Sequence, residues 1–450
     1  GRLNPAARTR DTTFTQAMAS RARRVARQCA LLEQAMCPSS EPVQVDEQIT
    51  AKVHELKSGH IEVATRAAEF LYRRAHASHL RSEENKRQIR SEGAIPHLCD
   101  MLSARCGEAR YQACSCLSEL AFRDELNSLL IVNVPGALDA IIKLMMSSDM
   151  QEDAALIVGN CAAFSEEAVE TMVHHAGLVS ALKVVATSAE AGTKGIAVGA
   201  INCFSRFGFA SDTLIAERVV EEALLPLLRR QDEKEEEEGG QPDAVELRAA
   251  LAVANLTGLS RESFGSAAQF QRAVTTAVSI LEGALDGRSW EGISFSAYSI
   301  LFPLRNMALA ARNREALVEA GLLELLARVV GAWRELPHKG GAALVLAVEA
   351  AGLLSGRCDW QQRLRQADAI PLLRALSDHA AAHPEAAEAA GPAGELVRLL
   401  EEGHVAVCMA QHGRLGAGSG LGLLDESLTQ MVLAFTIGGR FAPPAAPSQS

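Results

Sequence analysis

The chain has 450 residues, of which 48% are hydrophobic but only 4% aromatic, so its apolar content is mostly alanine, leucine and valine. A compact protein of this length would divide into two or three domains, each with its own core. The formal charge of −11 leaves no overall excess of positive charge to attract phosphates, which argues against a nucleic-acid-binding protein.

The first segment, residues 1–44, is basic: between residues 1 and 30, seven arginines stand against one carboxylate, Asp11. Beyond Thr15 the spacing of apolar residues predicts a basic amphipathic helix. Two interpretations remain open. The helix caps the rest of the fold, or it is an arm for peripheral contact with a membrane surface, for targeting or for autoinhibition.

A repeated pattern follows, and it carries most of the information in the chain. Its first clear copy opens at Asn85 and runs through Gly93, and the anchors Gly93, Gly136 and Gly177 are 43 and 41 residues apart. All-helical repeats of about 40 residues predict a solenoid. In a solenoid each unit contacts only its neighbours, so the core grows lengthwise without dividing.

The repeats are punctuated as helices. Each anchor glycine suits the left-handed residue that ends a short first helix. Pro96, Pro226 and Pro371 follow Ile or Leu at the start of a second helix, where a missing N–H costs little. A longer third helix comes next, as at 152–163, and no alternating strand pattern of comparable strength is present. The sequence therefore predicts an all-α fold with three helices per repeat.

The opening of the type N-K-x-x-I…G-A-I-P-x-L and the third helix of the type A-x-x-x-x-N-L resemble the armadillo-repeat family. The resemblance implies a right-handed α-solenoid of about seven to eight repeats over residues 45–408. After residue 260, helix pairs of the HEAT type remain open, because the anchor glycine becomes Ala223 and Ala369. The predicted repeats are 45–76, 84–123, 125–165, 166–208, 209–260, 268–311, 312–357 and 360–408.

Two later segments depart from the pattern. Residues 231–243 interrupt the fourth repeat with a run of glutamates followed by two glycines, which predicts a disordered loop. That loop is either a solvated insertion or a docking site for a basic partner. Residues 409–450 predict a Gly-rich linker, a last helix and a Pro/Ala tail.

A row of asparagines in the third helices is the best candidate site. Asn160, Asn202, Asn255 and Asn306 share one register, 42, 53 and 51 residues apart. The resemblance implies that third helices line a concave groove, where this asparagine contacts the backbone of an extended peptide. One amide offers both a donor and an acceptor, so it can pair with a peptide group. The alternative is structural, with each amide bonded to a carbonyl of its own or the adjacent repeat.

The neighbours of these asparagines extend the predicted site. Nuclear-import adaptors of the resembled family carry tryptophan four residues before the asparagine, where this chain has Leu156, Val198, Leu251 and Phe302. The groove predicted here is therefore apolar and suits a hydrophobic peptide or an amphipathic helix. One turn after the key position stands Arg206. The predicted peptide-binding residues are Asn160, Asn202, Asn255, Asn306, Arg206, Leu156, Val198 and Leu251.

Other chemistry finds little support in the sequence. His379 and His383 have the spacing of two metal ligands on a helix but lack an evident third ligand. Ten cysteines without a C-x-x-C pair indicate buried reduced thiols, which favours an intracellular, cytoplasmic protein, with the nucleus left open. The apolar stretch 342–354 contains Glu349 and is too short to span a bilayer. We expect no metal, no cofactor, no integral membrane segment and no enzymatic activity.

The sequence thus predicts a non-enzymatic scaffold that binds an extended or helical segment of another protein in its groove. Two alternatives remain: a nuclear-import-type cargo adaptor and an armadillo-like chaperone cofactor. The sequence does not identify the partner.

Overall fold

The computed structural model describes residues 46–76, 78–147, 149–188, 190–228, 243–259, 264–290, 295–336, 340–379 and 387–411. All regular elements in these ranges are helices, so the predicted all-α fold class is confirmed. The basic arm 1–44, the acidic segment up to residue 242 and the tail from residue 412 lie outside the described residues.

The chain divides into two compact units, residues 1–219 and 220–450. The α-helices of unit 1 are α1 (Glu47–Leu56), α2 (Ile61–Ala75), α3 (Ser82–Ser91), α4 (Ala94–Met101), α5 (Gly107–Ala121), α6 (Glu125–Asn133), α7 (Ala137–Met145), α8 (Gln151–Phe164), α9 (Glu166–Val173), α10 (Leu178–Ala186), α11 (Ala191–Ser205) and α12 (Gly208–Ala216).

From α3 to α11, unit 1 repeats two short helices followed by a long one three times. The residue before each second helix is a glycine in the left-handed region: φ is 75° at Gly93, 78° at Gly136 and 84° at Gly177. A residue without a Cβ adopts this conformation at little cost, which explains the glycine spacing in the sequence. The predicted anchors are confirmed.

The long helices of unit 1 form its interior wall. Helix α5 packs between α2 and α8, and α8 packs between α5 and α11. Small side chains such as Ala113, Cys116 and Cys161 are fully buried along these helices. Small buried residues let neighbouring helices approach closely, so the row of third helices is a preformed surface.

Ion pairs also join neighbouring repeats. Asp124 caps α6 by accepting the backbone N–H of Asn127 at 2.9 Å. Arg90 of α3 donates to both carboxylate oxygens of Asp124, at 3.0 and 2.8 Å, and to Oδ1 of Asn127 at 2.9 Å. One cap therefore also fixes the first helices of two repeats against each other.

Unit 2 begins with a π-helix, Val220–Leu224, and contains a 3₁₀ turn, Ala311–Asn313. Its α-helices are α13 (Leu225–Leu228), α14 (Ala244–Leu259), α15 (Ala267–Leu285), α16 (Ala297–Leu309), α17 (Arg314–Glu319), α18 (Leu322–Ala332), α19 (Gly340–Leu354), α20 (Cys358–Gln366), α21 (Ala369–His379) and α22 (Ala387–Gln411). The long helices α14, α16, α19 and α22 pack in sequence order.

The anchor position is not lost outside the glycine-marked repeats, as the sequence suggested. Arg218 and Asp368 hold the left-handed conformation there, each with φ of 55°. Ala223 and Ala369, which the sequence offered as replacements for the glycine, lie inside helices. A side chain in the left-handed region costs about 1–2 kcal/mol, which the surrounding helix packing offsets. The prediction of Ala223 and Ala369 as anchors was therefore wrong.

The repeat predicted at 268–311 has a simpler form. A single 19-residue helix, α15, replaces the first two helices, and a capping box of Ser266 and Gln269 starts it. Helix α16 then continues through Pro303.

Among the described helices, no single one is long and apolar enough to cross a membrane. Helices α6 and α7 reach that length and composition only as a pair, and they meet at a bend of 91°.

Candidate functional site

The candidate site lies on the long helices of unit 1. Helices α5, α8 and α11 each expose one row of side chains on the same side of the unit. We call this surface the third-helix face. It consists of the exposed or half-buried residues Tyr111, Ser115, Glu119, Leu156, Asn160, Phe164 and Arg206, together with Asn202 beside them.

Asn160 connects two of these helices. Its side-chain Nδ2 donates to the backbone carbonyl of Ser118 on α5 at 2.8 Å. The Ser118 side chain is buried, whereas that of Asn160 is half-buried and borders the face. This bond is the structural role that the sequence left open, and it leaves the Oδ1 atom of Asn160 at the border of the face.

Asn202 occupies the same register on α11 but has a different environment. The residue is only 7% exposed, and its Oδ1 atom has no hydrogen-bond partner in the described part of the chain. One turn later, the Nε atom of Arg206 is also buried and has no partner there. Each such atom costs about 1–3 kcal/mol of lost solvation. The pair presents one acceptor and one donor, as required to bind a peptide group.

The apolar residues before the asparagines do not share one environment. Leu156 is exposed on α8, as expected for a residue that contacts a partner. Val198 and Leu251 are buried in the cores of their units, with 0% and 1% of their surface exposed. Their side chains pack against neighbouring helices and do not reach the surface that a partner would touch.

In unit 2 the predicted asparagines bind each other. Nδ2 of Asn306 donates to Oδ1 of Asn255 at 3.0 Å, and the two residues are 2% and 0% exposed. Helices α14 and α16 are unusually close here, because a Cβ on Gly258 would lie 2.1 Å from the carbonyl oxygen of Asn306. This amide pair stabilises the interior of unit 2, and we do not include it in the candidate site.

Aromatic residues at the ends of the third helices complete the face. The rings of Phe122 and Phe164 meet edge to face, with centroids 5.6 Å apart and planes at 84°. The guanidinium of Arg123 lies over the Phe122 ring, 5.2 Å from its centroid. Sequence reasoning missed these phenylalanines. A signal was present, since Phe122 and Phe164 each follow the last alanine of a third helix, 42 residues apart.

An acidic and aromatic cluster lies at the other border of the face. Burial, the nearby Glu119 carboxylate and the Tyr111 hydroxyl raise the pKa of Tyr72 above its usual value. Tyr72 belongs to α2, whereas Glu119 and Tyr111 belong to α5. Both tyrosines therefore stay protonated at neutral pH and can donate hydrogen bonds.

The predicted pair of histidines is not tested by the structure. His383 and the side chain of His379 lie outside the described residues. In the described ranges, no group of three or more His, Cys, Asp or Glu residues could hold a metal ion.

Comparisons with known proteins agree with this architecture. Residues 82–122, which form α3 to α5 and Phe122, match the family described as "Armadillo/beta-catenin-like repeat". The search of curated proteins found no match. This chain therefore contains an armadillo-type repeat and has an armadillo-like helical-repeat fold.

Solved structures are similar at the level of the fold. The crystal structure of an engineered protein aligns with a TM-score of 0.52 and 17% identity, over 88% of this chain and 98% of that chain. Computationally designed armadillo repeat proteins for modular peptide recognition align with a TM-score of 0.41 and 20% identity, over 60% of this chain and 99% of that chain. A designed armadillo repeat protein in complex with the peptide (KR)4 aligns with a TM-score of 0.41 and 20% identity, over 58% and 99%.

Proposed function

We propose that this chain is a non-enzymatic scaffold that binds an extended segment of a partner protein on the third-helix face of unit 1. The observation that carries the proposal is the pair of buried, unpartnered atoms on Asn202 and Arg206. A peptide group placed across α11 would donate its N–H to Oδ1 of Asn202 and accept from Nε of Arg206. Binding would thus recover the solvation that these atoms lose on folding.

The rest of the face suits the same ligand. Tyr111, Leu156 and Phe164 expose apolar surface on successive helices, so alternate side chains of an extended segment have apolar contacts. The third helices are held by internal bonds such as that from Asn160 to Ser118. A preformed surface needs little ordering on the scaffold side, which favours affinity from many small contacts.

A nuclear-import-type adaptor is a more specific version of the same proposal, and it fits less well. Stacking of the stems of basic cargo residues requires aromatic rings four residues before the asparagines. In unit 1 those positions are Leu156 and the buried Val198. We therefore favour a general interaction scaffold.

The experiment compares two asparagines at one register. We expect that Asn202→Ala leaves stability unchanged or raises it by up to about 1 kcal/mol, because it removes a buried atom without a partner. Asn160→Ala should lower stability by about 1 kcal/mol, because the Ser118 carbonyl loses its donor. The full chain is used to select binders from a random peptide library, and selected peptides are titrated by calorimetry.

Peptides selected by the wild-type chain should bind Asn202→Ala and Arg206→Met at least tenfold more weakly. Asn133→Ala, an exposed asparagine on α6, is the control and should bind them unchanged. Equal affinity for all three variants would show that peptides bind elsewhere. Failure of the wild-type chain to select any peptide would refute the function.

A further inference from the structure

A cleft of about 350 Å³ lies between the start of α3 and the end of α5. Leu80, Arg81 and the first turn of α3 line one side, and Phe122 and Arg123 line the other. We propose that this cleft is a subsite for an acidic side chain, Asp or Glu, of the same partner segment. The inference rests on the proposed function and adds the chemistry of one partner residue.

The charge around the cleft is positive. Arg81, Arg87 and Arg123 line it, and the fully buried Lys86 lies behind its Phe122 wall. Nζ of Lys86 donates to the Phe122 carbonyl at 2.6 Å and lies 5.5 Å from the centre of the Phe122 ring. A buried ammonium is poorly screened by solvent, so its field acts strongly on the neighbouring cleft.

Only two carboxylates oppose these four cations at the cleft. Glu84 accepts from Nε of Arg81 at 2.6 Å, and Oε1 of Glu83 lies 3.8 Å from Nζ of Lys86. The surplus of positive charge is what an additional carboxylate would neutralise.

Arg123 is the residue best placed to bind that carboxylate. Its guanidinium stacks on Phe122, and no carboxylate of the described residues forms an ion pair with it. Stacking covers the flat face of a guanidinium and leaves its N–H edge available for a bidentate bond. The residue also has a left-handed backbone, with φ of 60°, and its side chain is exposed.

The cleft is continuous with the third-helix face. The ring of Phe122 forms its wall and contacts the ring of Phe164, which belongs to the face. At the other side, Leu80 is fully exposed beside the cationic residues. A segment that crosses the face can therefore place an acidic residue in the cleft and an apolar neighbour against Leu80.

The test uses peptides selected by the full chain as described above. We expect them to share an Asp or Glu at one fixed position, and Arg123→Gln should weaken their binding about tenfold. Arg123→Lys, which keeps the charge but not the planar fork, should recover part of the loss. Arg105→Gln makes the same charge change at another exposed arginine of unit 1 and should alter the affinity less than twofold.

The second arm changes the peptide. Replacing its Asp by Asn, or its Glu by Gln, should weaken binding to the wild-type chain about tenfold and should have little further effect on Arg123→Gln. Equal loss in both proteins would overturn the subsite. So would peptides that require Asn202 but carry no acidic residue, a result that leaves the proposed function intact. If the wild-type chain selects no peptide, the proposed function fails and the subsite with it.

Discussion

Asn306 donates from Nδ2 to Oδ1 of Asn255 at 3.0 Å, which links the long helices α16 and α14 inside unit 2. Both residues are almost completely shielded from solvent. A polar pair in such a place stabilises the fold only while both partners are present, because a single buried amide is left without the solvation it had in the unfolded chain.

Replacing one member of this pair should therefore be costly. Asn306→Ala is expected to lower the free energy of unfolding by about 1–3 kcal/mol, because Oδ1 of Asn255 loses a donor in a buried site. The double variant Asn255→Ala, Asn306→Ala should cost less than the sum of the two single changes. Chemical denaturation measures each loss. Asn133→Ala, at an exposed site, should change stability by less than about 0.5 kcal/mol, and strict additivity of the paired variants would contradict a coupled pair.

Gly258 is predicted to be irreplaceable for a related reason. A Cβ at this position would lie 2.1 Å from the carbonyl oxygen of Asn306, and backbone atoms cannot move aside as a flexible side chain can. We expect Gly258→Ala to separate α14 from α16 and to cost about 2–3 kcal/mol. Loss of stability in thermal and chemical unfolding is the measurement.

Gly159 provides the matched control for that substitution. It also lies in a long helix, but a Cβ there would meet only the Cβ of Ala200, at an ordinary distance of 3.9 Å. Gly159→Ala should therefore be neutral or stabilising by up to about 1 kcal/mol, the helix propensity that alanine gains over glycine. Similar effects at the two positions would contradict the close approach of α14 and α16.

These contrasts show what the sequence could and could not predict. Period and punctuation predicted the helices and the left-handed residues at Gly93 and Gly136, since both are local properties of the chain. The register of the asparagines was also visible. Their environments were not, because Asn160 bonds a backbone carbonyl, Asn202 leaves its Oδ1 without a partner and Asn255 pairs with another amide. Such differences depend on how closely neighbouring helices approach.

The cleft near Arg123 was invisible for the same reason. The sequence singled out Arg123 only as a residue one turn after the asparagine register. Its stacking on Phe122 and the buried Lys86 behind that ring join residues 36 or 37 positions apart. No periodic pattern within one repeat reports a contact between a first helix and the end of the following third helix.

Asp124 should be among the most sensitive surface-proximal residues of unit 1. Its carboxylate caps α6 and binds Arg90, and the two side chains are only 11% and 10% exposed. Asp124→Ala removes the cap and leaves a nearly buried guanidinium with fewer partners, so we expect a loss of about 3 kcal/mol. Asp124→Asn keeps the cap acceptor and should lose about half as much.

A surface ion pair gives the comparison for Asp124. Arg73 and Glu69 interact one turn apart on α2, with far more of both side chains in solvent. Glu69→Ala should cost less than about 0.5 kcal/mol, because water and salt screen exposed charges. If Asp124→Ala were equally mild, the cap and the ion pair with Arg90 would contribute little to the contact between the two repeats.

The buried thiols predict how stability depends on pH. Burial raises the pKa of Cys114 to about 12, with a further increase from Asp153, and burial also raises the pKa of Cys161 to about 12. An unfolded thiol ionises near pH 8.5, so the folded state binds these protons more tightly than the unfolded state. This contribution is complete below that pH and is lost progressively as the pH rises toward 12. Each thiol should add a slope of about −1.4 kcal/mol per pH unit above about pH 9.

The measurement is the free energy of unfolding in a reducing buffer from about pH 8 to about pH 10.5. The double variant Cys114→Ala, Cys161→Ala will be less stable at every pH because it leaves cavities, yet its stability should decline less steeply. The difference in slope, and not the difference in stability, reports the two thiols. Cys106→Ala removes an exposed thiol and should keep the wild-type slope. Parallel pH profiles for wild type and the double variant would show that Cys114 and Cys161 ionise as readily in the folded chain as in the unfolded one.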